Sequence, residues 1–216
     1  MKRLVFFDLD GTILSGLSSE NIFIFYLLRH GYLRFKQFLH AFLFFIRWTP
    51  LFKHHVFIKN KAYLTGLPVK QIQSLAKIFV EKRLVKRIRP ELQACIESHR
   101  QAGDILFLIT GSPSFLADEI ARYLHIDHVE PTHCQQDEAT FHAGVPWQHP
   151  FAEEKLTIAK KLCERYDADI KQAFAYGNSY NDRMILDAVG HPVAVTPDRR
   201  LRKLAWRKGW KIIDPA

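Results

Sequence analysis

Short runs of consecutive hydrophobic residues alternate with amphipathic stretches along most of this 216-residue chain. The runs occupy residues 4–7, 105–109, 173–176, 191–195 and 210–213. Runs of this length, bounded by Gly, Pro and polar residues, are typical of buried β-strands. Helical periodicity fills much of the remainder, at residues 90–102, 113–124 and 151–166. This alternation predicts an α/β fold, a Rossmann-like parallel sheet with helices on both faces.

Residues 17–89 depart from the alternation because their apolar positions recur throughout at the spacing of one helical face. We call them the cap segment and expect an all-helical bundle of about four helices, inserted after the first strand. The predicted domains are a catalytic core, residues 1–16 and 90–216, and this cap. Within the core, residues 127–148 are irregular and contain Thr, Gly and Pro, which predicts a β-hairpin between two helices.

Positive charge is concentrated in the cap segment. It holds 14 Lys and Arg against two acidic residues, whereas the rest of the chain holds 17 basic and 20 acidic residues, for a net charge of +9. Such asymmetry indicates either an anionic partner or substrate, or simply solvated outer faces of helices.

Aromatic residues are interleaved with these cations. They include Phe23, Phe25, Tyr26, Phe35, Phe38, Phe42, Phe44, Phe45, Trp48, Phe52 and Phe57. The combination is typical of an amphipathic surface that contacts anionic lipid, and equally of the core of a small bundle packed on the catalytic domain. It also permits stacking on single-stranded nucleic acid, but no recognised nucleic-acid motif accompanies it, so we do not expect that partner.

Composition and cysteine usage restrict the class of protein. With 48% hydrophobic and 25% charged residues, the chain is neither disordered nor a coiled coil. Its three cysteines form no C-x-x-C pair, which excludes a zinc ribbon and favours a reducing compartment. Asp8 interrupts the first apolar run, and the longest later run, residues 38–46, is shorter than the ~20 residues of a membrane span. We expect a cytoplasmic protein, with peripheral membrane contact if the cap binds lipid; the oligomeric state stays open.

Polar clusters follow three of the predicted strands. They are Asp8-Leu-Asp-Gly-Thr12, Thr110-Gly-Ser112 and Gly177-Asn-Ser-Tyr-Asn-Asp182. The carboxyl ends of parallel strands meet at one edge of the sheet, so these clusters are expected to converge there. Alone, the first cluster also fits a turn with capping aspartates. Beside the other two, it offers one carboxylate for nucleophilic attack and a second, two residues later, for proton transfer.

These clusters, together with Lys155, stand in the order of the four motifs of the haloacid dehalogenase superfamily, which the chain resembles over essentially its whole length. Asp8 begins the first motif, Thr110 the second, Lys155 is the third and residues 177–182 are the fourth. The inserted helices resemble the C1-type cap of the phosphoserine-phosphatase-like branch, family IB. The resemblance implies a magnesium-dependent phosphomonoester hydrolase that works through an aspartyl-phosphate intermediate.

It also implies roles for individual residues. Asp8 would be the nucleophile, Asp10 would protonate the leaving oxygen and then activate water, and Lys155 would offset negative charge. The phosphate would be held by Thr110, Gly111, Lys155 and Asn181. The Mg²⁺ ligands would be Asp8, the Asp10 carbonyl, Asn178 and Asp182. Asn178 stands where the family usually has an Asp, so Asp182 would supply the remaining carboxylate, directly or through water. A degraded, non-catalytic site is the alternative.

The substrate is less evident. Phosphoserine phosphatases of this branch carry a Glu seven residues after the second Asp of the first motif, to bind the substrate amine. Here that position is Leu17, and Glu20 lies three residues further on. We therefore expect a small or amphiphilic, lipid-like phosphate monoester. The alternatives are phosphoserine or another small metabolite, and a non-catalytic protein whose basic cap binds nucleic acid or anionic membrane.

Overall fold

The computed structural model describes residues 3–214; residues 1, 2, 215 and 216 of the predicted catalytic core lie outside the described part. The strands are β1 Leu4–Phe7, β2 Ile105–Pro113, β3 His128–Thr132, β4 Phe174–Gly177, β5 His191–Val195 and β6 Lys211–Ile213. The α-helices are α1 Ser19–Arg29, α2 Phe35–Phe52, α3 Val56–Lys59, α4 Val69–Phe79, α5 Pro90–Gln101, α6 Ser114–Leu124, α7 Glu153–Arg165, α8 Arg183–Ala188 and α9 Arg199–Lys208.

The strands form one parallel sheet in the order β3-β2-β1-β4-β5-β6. Phe6, in the central strand β1, is in register with Phe107 of β2 and Ala175 of β4. All four residues of β1 are buried, as expected for a strand covered on both faces. The parallel α/β fold predicted from the sequence is confirmed.

Two hydrophobic layers cover the two faces of the sheet. Because successive side chains of a strand point to opposite faces, Phe6 packs with the layer of α7, α8 and α9, and Phe7 with the other layer. That second layer includes residues of α5 and α6 and also of the cap helices α1 and α4. The cap therefore shares a continuous core with the sheet.

The predicted hairpin over residues 127–148 is only partly right. Residues His128–Thr132 form β3, the edge strand that pairs in parallel with β2. The chain then folds back, with antiparallel bridges between His133 and Gln148 and between Gln136 and Phe141. The sequence of β3 hides this strand, because Glu130 and Pro131 break its apolar run; proline is tolerated at a sheet edge.

The cap segment is helical, and its two connections to the core run side by side. Ser15 N–H donates to the Arg87 carbonyl at 2.9 Å, and Arg89 N–H donates to the Ile13 carbonyl at 2.9 Å. Above them, the ring of Phe23 in α1 lies 5.1 Å from that of Phe79 and 5.6 Å from that of Phe115 in α6. The first contact joins two cap helices, and the second joins the cap to α6 of the core.

Helix α2 carries buried aromatic residues on one side and exposed ones on the other. Phe44 is buried in a small cluster with Val56 and Ala62, as a bundle core requires. Phe38 and Phe42 point outward and are 49% and 58% exposed. Within residues 3–214, no helix is long and apolar enough to cross a membrane.

Candidate active site

Asp8 lies directly beyond the carboxyl end of the central strand. Its N–H donates to the Tyr176 carbonyl at 3.0 Å, which continues the β1–β4 pairing and fixes its backbone. Its Oδ1 accepts a hydrogen bond from Lys155 Nζ at 2.6 Å, and its Oδ2 accepts one from the Thr12 hydroxyl at 2.8 Å. The carboxylate is thus held on both sides, and its side chain is 12% exposed.

The turn after Asp8 requires a glycine. Gly11 has φ +86°, a left-handed conformation that side chains disfavour, and a Cβ there would lie 2.0 Å from Asn178 Nδ2. The missing side chain lets the loop after β4 approach the first motif. The Thr12 hydroxyl then lies 3.3 Å from Asn178 Oδ1, while bonding Asp8.

Lys155 joins the nucleophile candidate to the fourth motif. It lies in the first turns of α7 with its side chain 7% exposed, and its Nζ also donates to Asp182 Oδ1 at 2.7 Å. The other oxygen of Asp182 accepts the N–H groups of Asn178 at 3.2 Å and Ser179 at 3.0 Å. Both oxygens of Asp182 therefore have partners within the protein, and the residue links Lys155 to the loop after β4.

Burial and neighbouring charges shift the pKa values of Asp8 and Lys155. Burial raises the pKa of Asp8 to about 6, against the opposing effect of the Lys155 ammonium. Burial alone would lower the pKa of Lys155, but the carboxylates of Asp182 and Asp8 raise it above its ordinary value. Lys155 is therefore a permanent cation between two carboxylates.

Asp10 is tied to the cap rather than to Asp8. Its Oδ1 accepts the backbone N–H of Ser19 at 2.6 Å, and its Oδ2 accepts the hydroxyls of Ser19 at 3.0 Å and Ser112 at 2.6 Å. Ser19 is the first residue of α1. The orientation of the expected acid–base group thus depends on where the cap helix begins.

The Thr110-Gly-Ser112 cluster, expected to follow the second strand, lies within it, because β2 continues to Pro113 with a register shift after Ile109. The Thr110 side chain is buried and its Oγ1 accepts the N–H of Ser112 at 3.1 Å. The Thr132 hydroxyl donates to the Gly111 carbonyl at 2.7 Å and lies 2.8 Å from His149 Nδ1. Since that hydroxyl has one proton, His149 is the donor to it and carries its hydrogen on Nδ1. Burial lowers the pKa of His149 to about 3, so the ring is neutral.

A cleft of about 410 Å³ lies between the carboxyl end of β2 and the cap. Its lining residues are Asp10, Ser18, Glu20, Asn21, Ile24, Phe57, Ile58, Asn60, Gly111, Ser112 and Phe151. A groove of about 280 Å³ adjoins it through Ile58 and Phe151 and is walled in part by Leu51 and Phe52. The polar cleft near the carboxylates therefore continues into a mostly apolar groove, which Lys59, Glu153 and Glu154 also line.

Glu20 lines the cleft but is not a free carboxylate. It forms an ion pair with Lys61, whose side chain is 4% exposed, and accepts the Tyr63 hydroxyl at 2.8 Å. Leu17, the position at which the family pattern would place a glutamate, is 71% exposed. Neither residue offers an unpaired negative charge to an amine in the cleft.

The oxygen atoms around Asp8 fit Mg²⁺. No group of three or more His, Cys, Asp or Glu side chains suited to a metal exists among residues 3–214. The expected ligand set does not need one, because it draws on the Asp10 carbonyl and on Asn178 Oδ1, which shares the Thr12 hydroxyl with Asp8 Oδ2. An all-oxygen set with few carboxylates is one that Mg²⁺ accepts, with water completing the shell.

The structure brings most of the residues predicted from the sequence together. Asp8, Lys155, Asp182 and Asn178 form one hydrogen-bonded cluster through Thr12, and Asp10 and Gly111 lie on the cleft floor. Asn181 lies in the same loop as Asp182, in the short helix Tyr180–Asp182, and its N–H donates to the Ser179 hydroxyl at 3.2 Å.

Sequence reasoning gave no role to the residues that brace these groups. They are Thr12, Ser19, Ser112, Thr132 and His149. Thr12 and Ser112 stand inside the first and second motifs, so their position was a usable signal. Ser19, Thr132 and His149 carry no local pattern, because only the fold brings them to the site.

Comparison with known proteins agrees with this geometry. The family model for haloacid dehalogenase-like hydrolases matches residues 5–187. A phosphoserine phosphatase of Mycobacterium tuberculosis is 30% identical over 156 residues, which cover 72% of this chain and 51% of that protein. A histidinol-phosphatase of Neisseria meningitidis is 25% identical over 226 residues, 99% of each. A solved structure of a protein of unknown function from Bordetella pertussis shares the fold, with a TM-score of 0.83 at 22% identity, covering 99% of this chain and 98% of that one.

The mycobacterial alignment spans about half the length of that relative. The family match, in contrast, extends from the central strand through the fourth motif and includes every residue of the hydrogen-bonded cluster around Asp8. The chain belongs to the haloacid dehalogenase-like hydrolase family.

Proposed function

We propose that this protein is a Mg²⁺-dependent phosphomonoester phosphatase in which Asp8 is the nucleophile. The observation that carries the proposal is the Asp8–Lys155 ion pair at the end of the central strand, with a second carboxylate, Asp10, two residues away on the cleft floor. A carboxylate needs an adjacent cation to approach a phosphate dianion, and the buried Lys155 supplies one.

The proposed reaction has two steps. A carboxylate oxygen of Asp8 attacks phosphorus, the bond to the leaving oxygen breaks, and Asp10 donates its proton to that oxygen. Asp10 then accepts a proton from water, which attacks the phosphorus of the aspartyl-phosphate and releases phosphate with Asp8 regenerated. Ser19 and Ser112 hold Asp10 in place for both transfers.

Phosphate binding and metal binding complete the site. Thr110, the Gly111 N–H and Asn181 are proposed to hold phosphoryl oxygens, with Lys155 beside them. Asp8, the Asp10 carbonyl and Asn178 would hold Mg²⁺, with Asp182 acting on the shell through its loop. When bound, the ion supplies positive charge that offsets the phosphate dianion. Residues 17–89 act as the cap over a core of residues 1–16 and 90–216.

The shape of the cleft favours an amphiphilic substrate. The phosphate end of a substrate would lie near Asp10 and Gly111, and Ile24, Ile58 and Phe151 line the space beyond. The apolar groove then continues along Leu51 and Phe52. A lipid-like chain buries apolar surface there, whereas a small charged metabolite leaves the groove empty.

The names of two relatives suggest the alternative of an amine-bearing substrate. Phosphoserine and histidinol phosphate both carry an amine, which a carboxylate in the cleft would bind. Here Glu20 is neutralised by Lys61 and Tyr63, and Leu17 has no charge. The pairing disfavours both of these substrates relative to an uncharged leaving group.

A lipid phosphate substrate places the protein at a membrane. We propose a cytoplasmic enzyme that makes peripheral contact with anionic lipid through its basic cap. Nine Lys and Arg and no acidic residue lie between residues 21 and 80, which favours a negatively charged surface.

Hydrolysis of an aryl phosphate with and without Mg²⁺, by wild type and Asp8→Asn, tests the activity. Lysophosphatidate, phosphoserine and histidinol phosphate, compared by kcat/KM on the same preparations, then test the substrate class. The proposal expects Mg²⁺-dependent turnover that Asp8→Asn abolishes, and the highest kcat/KM for the lysophospholipid. Phosphoserine as the best substrate would overturn the lipid assignment and leave the chemistry intact; full activity of Asp8→Asn would overturn the chemistry.

A further inference from the structure

Helix α2 presents an apolar face to solvent. Phe35, Phe38, Leu39, Phe42, Leu43 and Ile46 are between 43% and 79% exposed. At the ~100° that each residue turns in an α-helix, these six side chains fall within an arc of about 140°. The opposite side of the helix carries Gln37 and Phe44, which are buried against the protein. We call the six exposed side chains the α2 outer face.

The exposed apolar area of the α2 outer face is larger than the scattered apolar residues on most soluble proteins provide. Single exposed apolar residues are common, but contiguous patches of large side chains on one helix mark a binding surface. The helix has 18 residues and so extends for about 27 Å at 1.5 Å per residue. Its length and exposed arc suit a helix that lies in the plane of a membrane interface.

Cations surround the α2 outer face. Lys36 and Arg47 lie at one edge of the arc, and Arg34 and Lys53 stand at the two ends of the helix, all four exposed. The stretch from residue 21 to residue 80 contains no Asp or Glu. An apolar face whose charged neighbours on the helix are all cations is complementary to a bilayer with anionic headgroups and acyl chains beneath them.

The same charges argue against a second copy of this chain as the occupant. In a two-fold dimer, each partner contributes the same surface, so these four cations would meet like charges at the interface. With no carboxylate from residue 21 to 80, that repulsion has no local compensation.

The α2 outer face also continues toward the cleft. Leu51, at the end of α2, is 67% exposed and lines the apolar groove, and Phe57 in α3 is 69% exposed and lines the cleft itself. The ring of Phe57 lies 4.8 Å from that of Phe45 in α2, which connects the two elements. A surface bound by α2 would therefore lie beside the entrance to the cleft.

We propose that the α2 outer face is the membrane-docking surface of this protein. Its apolar side chains insert among the acyl chains of an anionic bilayer, and Arg34, Lys36, Arg47 and Lys53 bind the headgroups. This proposal rests on the proposed function in one respect, which is that docking would deliver a lipid phosphate to the cleft. Binding itself requires no catalysis.

Co-sedimentation with vesicles tests the surface in the inactive Asp8→Asn background. The vesicles are phosphatidylcholine alone or mixed with phosphatidylglycerol. Phe42→Ser/Ile46→Ser is expected to lower the partition coefficient about tenfold or more, because two exposed apolar side chains no longer insert. Lys36→Gln/Arg47→Gln is expected to lower it about fivefold per charge on anionic vesicles, and to change nothing on phosphatidylcholine alone.

Matched changes on α9 serve as controls. Trp206 is 68% exposed, and Lys203 is exposed on the same helix of the core. Trp206→Ser and Lys203→Gln are expected to leave vesicle binding unchanged. The proposal is overturned if the protein with the unsubstituted surface does not bind anionic vesicles, or if the α9 controls lose binding equally. It is also overturned if sedimentation velocity shows a dimer that Phe42→Ser/Ile46→Ser dissociates.

Aryl phosphate hydrolysis separates this proposal from the proposed function. The α2 variants, made without the Asp8 change, are expected to hydrolyse the soluble ester at the wild-type rate, since their side chains lie outside the cleft. If the wild-type protein binds vesicles but hydrolyses no phosphate ester, the result supports the docking surface and contradicts the proposed phosphatase activity.

Discussion

The end of the central strand and the outer face of α2 break the usual rule of burial in opposite directions. Around Asp8, charged groups are buried, and each is matched by a partner, as with Lys155 between Asp8 and Asp182. On α2, large apolar groups such as Phe42 are exposed among cations. Buried charge costs stability unless it is paired, and large exposed apolar patches are rare on soluble proteins, so both regions are candidates for functional sites.

The two regions also differ in how they are held. Hydrogen bonds from Thr12, from Lys155 in α7 and from the loop after β4 hold the cluster around Asp8 in place. The α2 outer face makes no such bonds, and only the opposite side of the helix anchors it. Changes at the first region should therefore affect both chemistry and folding, whereas changes on the second should affect neither.

The largest effect is expected for Lys155→Met, which keeps the length of the side chain and removes its charge. Without the cation, kcat for an aryl phosphate should fall by about two to three orders of magnitude. The unpaired carboxylates of Asp8 and Asp182 should also lower the free energy of unfolding by about 3–5 kcal/mol. Steady-state kinetics and urea denaturation measure the two effects, and a variant with near wild-type kcat would refute a catalytic role.

A pair of substitutions within α2 sharpens the contrast between its two sides. Phe44 is 4% exposed and Phe42 is 58% exposed on the same helix. Phe44→Ala should lower the free energy of unfolding by about 3–5 kcal/mol, because it opens a cavity in the cap. Phe42→Ala should change it by less than about 0.5 kcal/mol. Equal losses in thermal or urea unfolding would show that the outer face packs against protein after all.

Acid should weaken the contact between His149 and Thr132, whose hydroxyl bonds the Gly111 carbonyl in β2. The pKa of His149 is about 3 in the folded protein and 6.5 as the ordinary value, so the unfolded chain binds the additional proton. Stability from this residue is complete above pH 6.5 and is lost as the pH falls toward 3, by about 1.4 kcal/mol per pH unit. His149→Gln, which does not titrate, should lack that slope. Between pH 4 and 6, a range of about two pH units, the free energy of unfolding should therefore fall more steeply with acid in the wild type than in His149→Gln. Parallel curves for the two proteins would contradict a buried neutral ring.

Asn178→Asp tests the metal shell. The substitution adds a negative charge beside Asp8 Oδ2, where the Thr12 hydroxyl now links the two side chains. The Mg²⁺ concentration for half-maximal activity should fall about tenfold, since a carboxylate binds the ion more strongly than an amide oxygen does. Asn178→Ala provides the opposite change and should raise that concentration. An unchanged Mg²⁺ requirement in Asn178→Asp would remove Asn178 from the shell.

The smallest catalytic effect should come from the link between the cap and Asp10. Ser19→Ala removes the hydroxyl that donates to Asp10 Oδ2 but leaves the backbone N–H of Ser19 on Oδ1. One lost hydrogen bond of ~1 kcal/mol lowers kcat about fivefold. The KM should be unchanged, because the role proposed for Asp10 is proton transfer and not anchoring of the substrate. A rise in KM at constant kcat would instead assign Ser19 to substrate binding.

The sequence predicted those parts of the molecule in which local pattern and chemistry coincide. The buried run of β1 ends at Asp8, so strand and nucleophile were readable together. Strand β3 was missed because Glu130 and Pro131 interrupt its apolar residues, and a sheet edge tolerates both. Ser19 and His149 were missed for another reason. The Asp10 carboxylate that Ser19 bonds lies 9 residues away, and the Thr132 hydroxyl that the His149 ring bonds lies 17 residues away, and no periodicity records such contacts.

The cap aromatics show the limit of composition. The sequence permitted two interpretations, a lipid-binding surface and a bundle core, and the structure assigns different residues to each. Phe23 and Phe44 are core residues, whereas Phe38 and Phe42 are exposed. Side-chain direction on a helix follows from what packs against it, and that information lies in the fold.

Direct detection of the covalent intermediate tests the central claim, that Asp8 attacks phosphorus. The protein is mixed with substrate and Mg²⁺, quenched during turnover and reduced with borohydride, which converts an aspartyl-phosphate to homoserine. Peptide mass spectrometry then locates the product, with Asp8→Asn and a sample without substrate as controls. The account predicts homoserine at position 8 in the wild type and in neither control. Turnover with homoserine at another carboxylate, or with none at all, would contradict it.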